Sequence, residues 1–340
     1  MRLTLPFLFA TLLILASSGH CATGATGAAG AAEQETGAER VAASETILSL
    51  DQAREYMLTL INRDRAAHGL APVILDKIAS QAGQIHTEDM VLHNHKGHYD
   101  VDGKKPWQRY SQLGGSGYVS ENAFWWSARE YEGYDQDTAG AGEGIDKPFT
   151  LHGVQAFKKS DIDEAESGYY NEEPPHDGHR TNILDPVHNG VGIAFTIATN
   201  GSQYRFANTQ EFTDNYGQFA SLPRDLSQPF YVTGTLGPGW AVQCVSIMWE
   251  PAPQPLTPEA IDKLESYKHP SKTLENYFAV EWAKQPVQIR NSNGLQQFRV
   301  LVTPQKSWKP GLYYVDVRAQ YKGGKPSLIS RRTISVSNDK

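Results

Sequence analysis

Apolar residues in the first half of the chain recur at the spacing of a helix. The pattern predicts a first helix from Ser49 to about His68, and Ser49 with Gln52 forms a capping-box signature at its start. It predicts a second helix over residues 76–92 and a third over about 153–170.

Two strand-like runs follow the predicted helices, at residues 190–198 and 203–212. The Asn200-Gly201 pair between them is a strong hairpin signal. Helices followed by an antiparallel hairpin indicate an α+β layered domain rather than a wound α/β sheet.

After about residue 221 apolar and polar residues alternate, which is typical of strands. Around seven short runs separated mostly by Gly, Pro or Asn predict a small antiparallel sandwich of immunoglobulin-like type. The runs are Phe230–Thr235, Trp240–Trp249, Leu274–Trp282, Val287–Arg290, Phe298–Thr303, Leu312–Tyr321 and Leu328–Val336. A short helix is expected near residues 259–267. This region has no cluster of ligand-type residues, so we interpret it as a binding or spacing module.

The N-terminus predicts secretion. A positive start, the apolar run Leu3–Ala16 and small residues after it indicate a signal peptide over residues 1–21, and the run is short for a membrane span. A retained membrane anchor and lipidation at Cys21 are the alternatives, although His20 fits a lipidation site poorly. Residues 22–45 are rich in Ala, Gly, Thr and Glu and are expected to form a flexible tether.

Charge and cysteine content narrow the function. A net charge of −7 argues against nucleic acid or an anionic membrane surface as the main partner. Any membrane attachment is therefore expected only through an N-terminal anchor. Removal of Cys21 with the signal leaves Cys244, so no internal disulfide is expected and Cys244 is predicted to be a buried, inert thiol. The mature chain is long enough for two domains, which we place at residues 46–220 and 221–340.

Residues 172–184 form the most informative segment. They place Glu172, His176 and His179 among prolines and glycines, in a turn that a helix interior or central strand would not contain. The segment is either a solvated loop or part of a polar site. His98 and Glu121 are further candidates between residues 93 and 212.

The order of separated motifs over about residues 50–215 resembles the CAP superfamily, the secreted proteins that include cysteine-rich secretory proteins, insect venom antigens and plant pathogenesis-related proteins. It most closely resembles the prokaryotic branch, which lacks disulfides. The motifs are Asn62, Arg65, Gly69-Leu70, Asp76, His86-Thr87-Glu88-Asp89-Met90, His98, Asp102-Gly103, Arg109, Glu121-Asn122-Ala123, Gly178 to Leu184, Gly190 to Ile193 and Gln210-Glu211-Phe212.

The resemblance implies an α-β-α sandwich with a cleft that holds two histidines and two glutamates. By motif this tetrad falls on His98, Glu121, His179 and Glu172. Tyr169 stands where the family usually has tryptophan, and Pro174-Pro175 follows, so Glu173 and Glu166 remain rivals for the second acid.

The tetrad implies a divalent-metal site, with zinc as the expected ion. Two imidazoles supply nitrogen ligands, and the carboxylates coordinate directly or hold metal-bound water. Glu121 or Glu172 is the candidate general base for that water. The sequence has no zincin-type HExxH motif. It also has no GxSxG elbow, and the cysteine that remains after cleavage lies in the β region, so a nucleophile-based hydrolase has no support.

Other polar residues near the tetrad have simpler interpretations. Asp89, Arg180 and Asn182 are expected to tie loops to the tetrad through hydrogen bonds. Glu121 also fits the start of a helix.

The remaining histidines and tryptophans also have simple interpretations. His93, His95 and His176 are expected in solvated loops and His86 in a packed helix. Trp125 and Trp126 line the cleft or pack in the core, and residues 133–148 resemble an insertion that covers the cleft.

Three functions follow. The first and favoured one is a secreted, non-catalytic CAP protein that binds a metal and a small-molecule, lipid or protein ligand. The second is a metal-dependent, peptidase-like hydrolase. The third is a structural cell-envelope protein, extracellular or periplasmic, in which the tetrad is vestigial and the β region is the functional part.

Overall fold

The computed structural model describes residues 45–128, 147–264, 266–270 and 272–337. The predicted signal peptide, nearly all of the tether and most of the 133–148 insertion lie outside these ranges. The helices are α1 (Leu50–Ala67), α2 (Lys77–His93), α3 (Pro106–Gln112), α4 (Lys159–Tyr170), α5 (Gly178–Ile183) and α6 (Pro258–Ile261). The strands are β1 (Ile47–Ser49), β2 (Ile74–Leu75), β3 (Tyr118–Ala128), β4 (Thr150–Leu151), β5 (Ala156–Lys158), β6 (Gly190–Thr199), β7 (Tyr204–Asp214), β8 (Gly217–Phe219), β9 (Phe230–Leu236), β10 (Trp240–Glu250), β11 (Lys272–Phe278), β12 (Gln288–Ser292), β13 (Leu295–Val302), β14 (Gly311–Tyr321) and β15 (Ser327–Val336).

The first two helices begin where their side chains can cap them. The Ser49 side chain and that of Gln52 bond each other's backbone N–H groups, which completes the predicted capping box. Asp76 accepts from the amides of Ile78 and Ala79 at the start of α2, and Asn94 ends it in the left-handed conformation. The sequence predictions for both helices are confirmed to within about a turn.

A five-stranded sheet forms the middle layer of the N-terminal region, in the order β2-β6-β7-β3 with β4 beside β6. Strands β6 and β7 form the predicted hairpin, with Gly201 at φ +91° in its turn. Successive side chains of β6 point to opposite faces of the sheet, so alternate residues contact the helices on each face. Ile193 packs into the core with α1, α4 and α5, whereas Gly192 lies directly against Ala79 of α2. The result is a mixed α+β layering of helices on both faces of a sheet.

Two predictions of secondary structure in this region are wrong. The third helix begins at Lys159 and not near 153, because residues 156–158 form β5, which pairs with β1 and buries Phe157. Glu121 lies within strand β3 and not at the start of a helix. The sequence also gave no sign of α3, the short helix that carries Arg109.

The C-terminal region contains two four-stranded antiparallel sheets, in the orders β11-β10-β14-β15 and β12-β13-β9-β8. Apolar residues of both sheets share one core, including Val245, Val315, Val300 and Phe298. Each of the seven predicted strands overlaps a strand of the structure, and α6 lies at the start of the predicted short helix. Cys244 is buried, and burial raises the pKa of its thiol, as expected of an inert core cysteine.

Residues from Ser44 onward form one compact unit. Strand β8, at the end of the predicted first domain, pairs with β9 of the C-terminal sheets. The boundary at 220/221 therefore stays a prediction. In the described ranges no helix has the length and apolarity needed to cross a membrane.

Candidate functional site

A polar pocket of about 410 Å³ brings the four residues of the predicted tetrad together. Its walls come from the loop after α2, strand β3, the segment after α4 and helix α5. The lining includes His98, Glu121, Glu172, His179, Ser120, Asn122, His176, Asn182 and Tyr267. The last of these belongs to the C-terminal region and was not a sequence candidate.

The first half of the site is a buried ion-pair cluster. Nδ1 of His98 donates to Oε1 of Glu121 at 2.9 Å, and Nη2 of Arg109 donates to Oε2 of the same carboxylate at 2.6 Å. Arg109 also donates to the carbonyls of His98 and Lys104, so it fixes the loop as well as the acid. Both oxygens of Glu121 are thus engaged by side chains of the chain itself.

The second half is formed within the polar segment. Glu172 accepts from the backbone N–H of His179 at 2.8 Å and from its Nδ1 at 2.5 Å. Residues 178–183 form α5, so part of the segment is helical, contrary to the expectation that a helix interior would not contain it. The Pro-rich turn lets the acid after α4 reach back to the histidine at the start of α5.

The rivals for the second acid lie elsewhere. Glu166 is buried in the core, where Gln210 donates to it, and Glu173 is exposed. Burial, with the charge of Asp64 adding to it, raises the pKa of Glu166 to about 8. Of the three acids, the one that contacts His179 is Glu172.

The two halves differ in exposure. The side chain of Glu121 is 0% exposed and that of His98 is 14% exposed, whereas Glu172 and His179 are 23% and 31% exposed. The two imidazoles face each other with centroids 6.4 Å apart. The open side of the pocket is therefore the His179 side.

A further acid, Glu211, lies beneath the site. It is directly opposite Glu121 in the β3–β7 register and is fully buried. Burial and the neighbouring charge of Glu121 raise the pKa of Glu211 well above its usual value, so the acid is protonated at neutral pH. Burial also opposes ionisation of Glu121, but the neighbouring imidazole of His86, the charge of Arg109 and the bond from His98 hold its pKa below the usual range.

The other predicted histidines do not enter the pocket as a group. His86 is buried and donates from Nε2 to the Gly97 carbonyl at 3.0 Å, and burial lowers its pKa to about 3. The prediction of a solvated His95 is wrong, because this ring is buried and donates to Asp89 at 2.7 Å. His93 and His176 are exposed, as expected, although His176 borders the pocket.

The three predicted supporting residues have different partners. Asp89 accepts from His95 and from the amide of Val101, and so fixes the loop around His98 without touching the tetrad. Asn182 donates to Asn122, which donates in turn to the His179 carbonyl.

Arg180 makes no direct contact with the tetrad. Its guanidinium lies 5.4 Å from the ring centroid of Tyr170 and lines the adjacent hollow.

The tryptophans of β3 belong to the core. Trp126 stacks on Phe206 at 5.4 Å, and Trp125 packs with Met90 and Val91 on the other face of the strand. Neither lines the tetrad pocket.

The donor set fits a two-nitrogen metal site better than a four-ligand one. In the described ranges no group of three or more His, Cys, Asp or Glu side chains is placed to hold a metal ion. The Nδ1 atoms of His98 and His179 bond glutamates, while neither Nε2 atom has a hydrogen-bond partner among the described residues. A carboxylate on the far nitrogen of a metal-binding histidine is a common arrangement.

Sequence patterns missed two neighbours of the site. Glu211 was part of a quoted motif, and its place opposite Glu121 follows only from the strand register. Tyr267 gave no signal, since it reaches the pocket from the β10–β11 connection far along the chain.

Comparison with known proteins addresses the N-terminal region. Residues 58–212 match the model of the cysteine-rich secretory protein family, CAP. No curated protein matches the chain. A crystal structure of an extracellular protein containing an SCP domain from Bacillus anthracis is 18% identical, with a TM-score of 0.32 over 49% of this chain and 41% of that chain. The chain thus spans less than half of that protein's length.

The family match runs from within α1 to within β7, and so includes both histidines and both glutamates of the pocket. Residues 58–212 are therefore a domain of the CAP family.

Proposed function

We propose that this chain is an extracellular CAP-domain protein whose cleft binds a divalent cation, zinc by its donor set, and presents a ligand site without catalysing a reaction. The observation that supports this function is the pair of imidazoles across one pocket, each held at Nδ1 by its own glutamate. His98 and His179 would hold the ion through Nε2, and Glu121 and Glu172 would orient the rings. The bound ion would supply a Lewis acid with open positions.

The state of Glu121 favours binding over turnover. A general base needs a free carboxylate and a pKa near the working pH. Both oxygens of Glu121 are engaged, its side chain is fully buried, and Arg109 holds its pKa low. The metal-dependent hydrolase, with Glu172 as the less engaged base, and the structural envelope protein remain alternatives.

The exposed half of the pocket is the proposed ligand side. His179 and Glu172 are partly exposed and border His176 and Asn182, so a small molecule, lipid group or partner protein would approach there. We also assign the two C-terminal sheets to the immunoglobulin-like class, since both bury one shared core. The predicted signal peptide supports an extracellular or cell-envelope location.

Zinc titration tests the proposal. The unmodified protein should bind about one equivalent of Zn²⁺ in a competition assay with a chromogenic chelator. A His98→Ala/His179→Ala variant should lose this binding, whereas a His68→Ala/His93→Ala variant, which removes two exposed histidines, should keep it. Absence of zinc binding by the folded, unmodified protein would reject the metal site.

A further inference from the structure

The connection between β10 and β11 is described over residues 251–264 and 266–270. It lies along the loop that carries His98. The amide of Leu256 donates to the Val101 carbonyl at 2.9 Å. The amide of Lys96 donates to Asp262 at 2.9 Å. A segment of the C-terminal region therefore holds both sides of the His98 loop.

The same segment is anchored near its end by a partly buried ion pair. Nζ of Lys105 donates to the carboxylate of Glu250 at 2.7 and 3.0 Å and to the Lys268 carbonyl at 3.1 Å. His269 stacks on Trp107 with centroids 5.3 Å apart, and Arg331 donates to its Nδ1 at 2.7 Å. These contacts hold the residue that precedes Lys268 at the wall of the pocket.

That residue is Tyr267, which contacts the buried half of the tetrad directly. Its hydroxyl accepts from the backbone N–H of Glu121 at 2.8 Å. Its ring meets the His98 ring edge-on, with centroids 4.9 Å apart, and the Trp107 ring at 5.0 Å. On this side of the pocket His98 is 14% exposed, whereas His179 on the other side is 31% exposed.

We propose that Tyr267 is a positioning residue of the cleft, supplied by the C-terminal region, which shields His98 and leaves the His179 side as the entrance. Because the Tyr267 ring covers His98, ligands of the cleft must approach from the side of His179 and Glu172. The β region thus completes the site of the CAP domain. This inference rests on the proposed function for its biological meaning, but the shielding itself does not depend on metal binding.

Chemical modification of the metal-free full chain tests the shielding. Diethyl pyrocarbonate acylates accessible imidazoles, and peptide mass spectrometry gives the rate at each histidine. In the unmodified protein His98 should react more slowly than His179. Equal rates, or a faster His98, would overturn the proposal without any variant.

Two variants separate the ring from the hydroxyl. Tyr267→Ala should raise the His98 rate to at least that of His179, while the rate at His179 stays near its original value. Tyr267→Phe keeps the ring and should leave His98 slow. Tyr231→Ala, which removes a half-exposed ring on β9, is the matched control and should change neither rate.

The contrary outcomes are equally specific. A His98 rate that stays low in folded Tyr267→Ala, or that rises together with His179, would reject a local shield. Zinc titration of the same proteins keeps the two proposals apart. Loss of shielding with no zinc binding in any variant rejects the metal site and retains the role of Tyr267.

Discussion

Glu121 of β3 lies directly opposite Glu211 of β7, and both side chains are fully buried. Two carboxylates so placed cannot both ionise, and the surrounding groups decide which one does. Arg109 and His98 bond Glu121, and a hydrogen bond between the two acids raises the pKa of Glu211 and lowers that of Glu121. The cleft therefore rests on one buried carboxylate and one neutral acid.

Isosteric replacement of these two acids should have unequal effects. Glu121→Gln removes the carboxylate to which the buried Arg109 and His98 donate, and should lower the free energy of unfolding by about 3–5 kcal/mol. Glu211→Gln replaces a protonated acid by a neutral amide of the same shape, so we expect little change at pH 7. Urea unfolding of both variants measures the difference. Similar losses at the two positions would contradict the assigned protonation states.

Glu166 should make stability depend on pH. Burial raises its pKa from 4.5 in the unfolded chain to about 8 in the folded protein, so the folded state keeps a proton that the unfolded state releases. The stabilising contribution is complete below about pH 4.5 and is lost as the pH rises through about 8. The slope is about 1.4 kcal/mol per pH unit within that window.

Comparison with Glu166→Gln isolates this contribution. The variant should unfold with a flatter pH profile and should gain on the unmodified protein as the pH rises from 5 to 8. Urea unfolding at several pH values checks it. Parallel profiles for the two proteins would show that Glu166 is already ionised when folded.

Because α2 packs closely on the sheet, substitution of Gly192 should destabilise the protein. A Cβ there would lie 2.2 Å from the carbonyl carbon of Ala79 and 2.4 Å from the amide nitrogen of Ser80, so the backbone would have to move. Gly192→Ala should lower the free energy of unfolding by about 2–3 kcal/mol. Gly178→Ala is the control, because no atom lies within 4 Å of its added Cβ. Equal stability of the two variants would contradict this packing.

Asp89 should control the mobility of the His98 loop. Asp89→Ala removes the acceptor of the buried His95 ring and of the Val101 amide, and should cost about 1–3 kcal/mol. Hydrogen exchange at the Val101 amide should accelerate at the same time. His93→Ala removes an exposed partner of the same carboxylate and should affect neither quantity. Unchanged exchange in Asp89→Ala would show that other contacts hold the loop.

Local sequence was sufficient where neighbouring residues decide the structure. The capping box of Ser49 and Gln52, the Asn200-Gly201 hairpin and the alternating strands of the C-terminal region could all be predicted because each depends on residues a few positions apart. The order of motifs likewise identified the CAP family, and it named His98, Glu121, Glu172 and His179, which line the pocket.

Tertiary structure decided what depends on distant residues. The strand register places Glu211 opposite Glu121, and residues 156–158 pair with β1 instead of extending α4. His95 is buried, where it donates to Asp89. Tyr267 reaches the cleft from 146 positions beyond Glu121, across a connection whose path no local pattern specifies. The sequence thus named the four residues of the tetrad. Tertiary packing determined their further neighbours and which half of the site is charged, shielded or open, since burial and electrostatics depend on neighbours in space.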